Sequence, residues 1–191
     1  MGIPEWTSTG ILPPIHPGSD GVDHSRSPYI SHIDDLVARF RTSKERCNIL
    51  DGLLRYREDL HKIGINRGFQ WLDGSFMEDI ETNENRPPND IDIVTFFELP
   101  DGVKSQNELL KISPELFNLD GVKGKYFVDA YYLQLDMPMN DDMVKKVSYW
   151  YSMWSHRRDQ TWKGYVQISL DDQRDPQAKA NLNAIIKGRE A

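Results

Sequence analysis

Residues 71–97, WLDGSFMEDIETNENRPPNDIDIVTFF, decide how this chain folds. The segment opens on the end of one apolar run and closes on another, and the second run contains two acids, Asp90 and Asp92. Strand side chains alternate faces, so these two carboxylates project together while Ile91 and Ile93 project to the opposite side. Two like charges about 7 Å apart along a strand repel, and Asp is a poor strand former. The pair reads either as a solvated strand face or as a ligand set. A bound divalent cation, Mg²⁺ or Mn²⁺, would remove the repulsion and use the carboxylates as hard oxygen ligands.

Working outward, FQWLDGS (69–75) is a strand running into Gly74-Ser75, and DIDIVTFFEL is the next. KYFVDAYYLQL (125–135) is long, aromatic and β-branched, and GYVQISL (164–170) is a fourth, shorter strand. The third contains an isolated acid, Asp129, which alone reads equally as a partnered structural residue or as a ligand. Three isolated strand acids, two of them paired, could together hold two metal ions about an in-line phosphoryl displacement. Gly74-Ser75 at a strand end would let backbone N–H groups and the Ser75 hydroxyl approach a triphosphate, with Gly74 needed because a side chain would block the approach.

The rest of the pattern is helical. Ile33, Leu36, Val37 and Phe40 follow helix spacing. A second helix starts at TSKE, with Thr42 and Glu45 as a capping box, and ends near Gly64. Weak helical turns occupy 104–119. Met143, Val147, Trp150, Tyr151 and Trp154 mark a helix whose apolar stripe reads as core, and a last helix covers about 176–188. Residues 1–28, rich in Pro, Gly and Ser, form an extended arm that Trp6, Ile11 and Ile15 hold against the body. The expected fold is α+β: an arm (1–28), then one domain (29–191) with a small mixed sheet of about four strands and helices packed on it.

Composition narrows the function. At 191 residues and 38% apolar, the chain can bury one real core. It has no membrane-length apolar stretch and no signal-peptide layout, so the cytoplasm is the expected compartment. A single cysteine, Cys47, excludes an internal disulfide and a cysteine zinc cluster, and its place in a helical stripe reads as a buried small hydrophobe. The net charge of −7 argues against broad DNA binding but leaves room for a local phosphate site. Lys145, Lys146, His156, Arg157, Arg158 and Lys163 gather late in the chain, as a solvated helix end and loop or as phosphate contacts. The five histidines show no metal-ligand spacing, and no Walker loop, GxGxxG or GxSxG is present.

Gly-Ser after a strand, Asp90-Ile91-Asp92 on the next and a lone Asp129 on a later one resemble the nucleotidyltransferase superfamily with the DNA polymerase β-type palm, over about residues 65–135. The whole chain also looks like small bacterial nucleotidyltransferase-like proteins, which resemble the minimal nucleotidyltransferases found beside toxin–antitoxin and phage-defence genes. The resemblance implies that Asp90 and Asp92 bind two Mg²⁺ or Mn²⁺ ions and the nucleotide phosphates. Asp129 would bind the catalytic metal and orient the attacking hydroxyl, and Gly74 and Ser75 would hold the β- and γ-phosphates. Apart from the resemblance, Lys163, just before the last strand, reads as a solvated lysine or as a further phosphate contact. The implied reaction moves a nucleoside monophosphate from an NTP, ATP first among them, to a hydroxyl on a protein or RNA acceptor and releases pyrophosphate. A neighbouring gene would supply a protein partner. The rival expectation is a catalytically silent module of the same fold, acting as antitoxin or complex subunit by contact alone. It is favoured by the short chain and by an acidic 76–89 segment that would repel nucleotides unless it turns away.

Overall fold

The computed structural model describes residues 2–171 and 173–190. Its centre is the antiparallel pair of β2 (Gly68–Asp73) and β3 (Ile91–Phe97), in which Trp71 faces Val94 and Asp73 faces Asp92. A third strand, β4 (Val128–Gln134), runs parallel to β3 and sets Asp129 beside Asp92. On the other side β5 (Val166–Ser169) pairs antiparallel with β2, and β1 (Tyr29–Ser31) closes the edge parallel to β5. The order β1-β5-β2-β3-β4 makes a mixed five-stranded sheet, and the fold is α+β as expected. The extra strand, β1, is three residues long, too short to carry a period of two.

Alternation along the strands sorts the side chains onto two faces. Leu72, Ile91, Ile93, Phe97, Val128, Ala130, Val166 and Ile168 point into the main core. Helices α1 (Ile33–Phe40), α2 (Lys44–Lys62), α5 (Leu119–Tyr126) and α7 (Asp175–Glu190) fill it with Leu36, Phe40, Leu50, Leu53, Val122 and Leu182, all fully or nearly fully buried. Each aliphatic side chain so buried contributes about 1.5–3 kcal/mol. Trp71, Val94, Phe96 and Leu133 point to the opposite face, where Tyr165 and two residues of α6 (Asp141–Trp154), Met143 and Trp154, form a smaller cluster.

Three local expectations need correction. The cap of α2 is Ser43, whose hydroxyl accepts from Arg46 N–H at 3.2 Å, one residue after the Thr42–Glu45 box. The third strand starts at Val128, because α5 runs to Tyr126 and Phe127 turns the chain left-handed at φ 58°. The stripe of α6 is only half core: Met143 and Trp154 are buried, while Tyr151 is 42% exposed. That helix lies on the small cluster by one edge.

The arm is stitched down. Ile11 and Leu12 are buried, Trp6 packs against Phe40, and Leu12 O accepts Gly164 N–H at 2.7 Å. The arm therefore ties the approach to β5 to the body. It also grips the turn that follows β2.

Candidate functional site

Asp129, Asp92 and Asp73 stand side by side across β4, β3 and β2, and Asp90, two residues before Asp92, shares their face. Beyond Asp73, Tyr165 immediately precedes Val166, the partner of Leu72. The row ends the sheet face that carries Trp71 and Phe96, so the acids sit where an apolar surface gives way to charge.

The turn after β2 is built to approach this row. Gly74 has φ +85°, a conformation that side chains resist. A Cβ there would stand 2.3 Å from Asp92 Oδ2, so the backbone passes directly against the carboxylate. Ser75 opens a 3-10 turn (Ser75–Met77), followed by the short helix α3 (Ile80–Glu84). The carbonyls of this turn have assigned partners. Arg46, fully buried, donates to Phe76 O and Glu78 O at 2.6 Å each and forks onto Glu81 at 2.7 and 2.8 Å. Trp6 Nε1 donates to Met77 O at 2.7 Å, and Gly10 O accepts Asp79 N–H at 2.8 Å. Three consecutive carbonyls held in this way fix the path of the turn.

Two lysines divide the acids between them. Lys123, at the end of α5, bridges Asp90 Oδ2 at 2.7 Å and Asp129 Oδ2 at 2.9 Å. Lys163 bridges Asp73 Oδ1 at 2.9 Å and Glu78 Oε1 at 3.2 Å, and Arg157 reaches Glu78 Oε2 at 3.2 Å. Among the described residues Asp92, in the middle, makes no ion pair. Burial, then the charges of Asp90 and Asp129, push its carboxyl up to about 6. Burial pushes Asp73 up to about 7 even against the pull of Lys163. Burial works against the Lys163 ammonium, but Asp73 and Glu78 outweigh it and hold the charge.

The acidic 76–89 segment is in part paired with cations, and its Glu78 shares Lys163 with Asp73 of the row. Glu78 is spent on Lys163 and Arg157, Glu81 on Arg46, and Glu84 on Arg86 and Arg157. Three of its acids are thereby offset.

Of the residues expected from sequence, Asp90, Asp92, Asp129 and Gly74 come together, and Ser75 follows at the turn. Lys163 is adjacent, buried and engaged by the carboxylates of Asp73 and Glu78. The donors suit a hard cation: they are carboxylate oxygens only, around an unpaired and partly buried Asp92. Among the described residues no group of three or more His, Cys, Asp or Glu side chains is already arranged about an ion position. The ammonium of Lys123 lies between two of the candidate ligands. Its side chain is 48% exposed on a flexible stem, so it can swing clear.

Sequence reasoning missed Asp73, Glu78, Lys123 and Arg46. Arg46 had a readable signal: with Leu50, Leu53, Arg57 and Leu60 it lies on one buried helix face at spacings of three and four. Asp73 shares the parity of Trp71, one strand over from Asp92. Lys123 had none, since its role depends on where α5 docks.

A cleft of about 660 Å³ between α4 (Gln106–Ile112) and α6 opens at the far end of β4 and is lined by Gln134, Met137 and Lys146, not by the acid row.

A model of a family of unknown function, DUF6932, matches residues 4–169. No curated protein and no solved structure matches the chain.

Proposed function

The chain belongs to DUF6932, a family of unknown function, and from its site we propose that it is a small metal-dependent nucleotidyltransferase. The observation that carries the reading is the joint placement of Asp90, Asp92 and Asp129 on one sheet face with the backbone of Gly74 pressed against Asp92. A strand-end Gly-Ser and three strand acids are thereby one constellation in space as well as in sequence.

Asp90, Asp92 and Asp129 are the residues that would hold Mg²⁺ or Mn²⁺. When bound, the cations would neutralise charge on a triphosphate. The N–H groups of the Gly74-Ser75 turn face the β- and γ-phosphates, and its rigidity spares the site a reorganisation cost. Asp129 accepts a hydrogen bond from the attacking hydroxyl of the acceptor and takes its proton on a carboxylate oxygen. The bond from the acceptor's hydroxyl oxygen to the α-phosphorus forms as the bond from that phosphorus to pyrophosphate breaks. The acceptor is a protein or an RNA, and a partner encoded nearby, as in toxin–antitoxin or defence loci, would present it.

Lys123 favours a second reading. An ammonium already placed between Asp90 and Asp129 is what a silent fold would use to make its inherited acids tolerable without a cation. Pyrophosphate release from each of the four NTPs with Mg²⁺ or Mn²⁺, with and without the neighbouring gene product, separates the two. Turnover abolished by Asp90→Asn/Asp92→Asn supports the enzyme. Absence of turnover, with partner binding untouched by those substitutions, supports the silent module.

A further inference from the structure

The segment after α6 does something the acid row does not explain. His156 and Trp162 form an antiparallel bridge, with Arg157 N–H donating to Thr161 O at 2.9 Å and Gln160 N–H to Arg157 O at 2.9 Å. This is a tight hairpin, closed by Gln160 in the left-handed region at φ 70°. Glycine would suit that position better, so the turn is held by its surroundings. At its tip and flank it presents Trp162, 62% exposed, with the His156 ring edge-on at 5.5 Å.

Trp162 does not stand alone: Met153, 44% exposed, lines the same cleft, and an exposed apolar patch rimmed by polar residues marks a binding site. The cleft of about 590 Å³ beside it is lined by Trp162, His156, Arg157, Arg158, Met153 and Gln160. The charge is distinctive for a chain of net charge −7. Arg158 is exposed and makes no ion pair among the described residues. Asp159, the one acid in the turn, is folded back to accept Thr161 N–H at 2.9 Å. The patch thus combines an open π-face with Arg158, which makes no ion pair among the described residues, beside Arg157, which already pairs with Glu78 and Glu84.

The patch is also joined to the acid row. Arg157 pairs with Glu78, Glu78 with Lys163, and Lys163 with Asp73, which lies beside Asp92. A ligand seated on Trp162 therefore lies within a few side-chain lengths of the row.

We propose that the His156–Trp162 hairpin binds a single-stranded nucleic acid, an RNA end, by stacking a base on Trp162 and pairing a phosphate with Arg158. Such a strand would be the acceptor of the transfer proposed above, and in that respect the inference rests on that reading. Stacking is tolerant of base identity because every base has a π-face, and the free guanidinium of Arg158 accounts for about one phosphate. Binding that is local and modest fits a patch on an acidic protein, where binding by the whole surface does not.

The test is fluorescence anisotropy of the full chain with a fluorescein-labelled ten-residue oligo(rU), in parallel with oligo(dT), over a salt series. The expected result is saturable binding that weakens with salt at a log–log slope of about −0.7, for one phosphate on a single strand. Trp162→Ala should weaken it by about tenfold, the loss of one stacked base, and Arg158→Glu should weaken it and flatten the slope. Both side chains are exposed, so unchanged circular dichroism and melting temperature report intact folding. Equal binding of the two oligonucleotides supports the surface with the strand class read and not the ribose; preference for oligo(rU) supports RNA. No binding, or binding indifferent to both substitutions, overturns the proposal. So does a protein partner that is lost with Trp162→Ala while no oligonucleotide binds. NTP turnover is read separately on the wild-type protein: oligonucleotide binding without turnover keeps this surface and removes its role as acceptor site, whereas turnover without oligonucleotide binding keeps the transfer reading and overturns this proposal.

Discussion

Gly74 and Asp92 are in contact across the end of the sheet: a Cβ on Gly74 would lie 2.3 Å from Asp92 Oδ2 and 3.4 Å from Asp92 N. The first contact is too short for any side chain, and φ +85° adds a conformational cost. Gly74→Ala must displace either the turn or the Asp92 carboxylate. Destabilisation of about 1–3 kcal/mol is expected, the usual range for a forced positive-φ residue, read as a lower denaturation midpoint. Nucleotide turnover should fall by more than the stability loss explains, because the displaced group belongs to the acid row. A variant with wild-type stability would show that the turn is pliable and the close approach incidental.

Lys123→Met keeps the stem of Lys123 and removes the ammonium from Asp90 and Asp129. Three carboxylates are then left with less compensation. If the row is a cation site, the variant should bind Mn²⁺ about tenfold more tightly, a gain of the size expected when one competing charge leaves a partly solvated cluster. Electron paramagnetic resonance of free Mn²⁺ measures this without any turnover. It should also melt lower than wild type in chelator and recover when Mg²⁺ is added. Destabilisation that no divalent cation repairs would mean that Lys123 is the permanent counter-ion of a silent site.

How far the site was legible in the sequence follows from the range of each interaction. Asp90 and Asp92 were visible because alternation is local: Asp90 directly precedes β3, and residues two apart along extended chain share a face. That Asp129 joins them depends on β4 pairing with β3 in one register, Asp92 beside Asp129, which hydrophobic patterning suggests and does not fix. The roles of Lys123 and Lys163 lay beyond reach, since each bridges acids from separate segments and a lysine at a helix end or strand start otherwise reads as solvated. For the same reason β1 was missed and α6 over-assigned to the core. A three-residue edge strand has no period, and a helical stripe does not reveal that only one edge of it is covered.

Tyr165 ends the row beyond Asp73 with a buried hydroxyl that has no hydrogen-bond partner among the described residues. Its ring is packed at 5.4 Å from Trp71 and 5.9 Å from Trp154, both edge-on. Burying an unsatisfied hydroxyl carries a desolvation cost that the ring does not need. Tyr165→Phe retains the ring and removes that cost, so it should leave stability unchanged or raise it by about 1 kcal/mol, a melting-temperature gain of about 2–4 °C. A loss of more than about 1 kcal/mol would instead assign the hydroxyl a partner, such as Asp73 through an ordered water.

Asp59 couples α2 to α5: its Oδ2 accepts Tyr126 O–H at 2.5 Å and Lys125 Nζ at 3.4 Å, while Oδ1 accepts Lys62 Nζ at 2.8 Å. Burial alone would raise this carboxyl, but Lys62, Tyr126 and Lys125 outweigh it and hold it at about 2, below the ordinary 3.8. The folded state therefore keeps the carboxylate ionised where the unfolded chain takes up a proton. The resulting stabilisation is fully present above about pH 4 and is lost as pH falls toward about 2. The lysines are exposed, so solvent screening limits the contribution to about 1 kcal/mol. Asp59→Asn should lower stability at pH 7 by about that amount and remove the corresponding part of the acid limb. Urea denaturation midpoints at pH 7, 4 and 2.5 would show the wild-type and variant curves converging at the lowest pH. Curves that stay parallel throughout would place the acid sensitivity of this fold in other carboxylates.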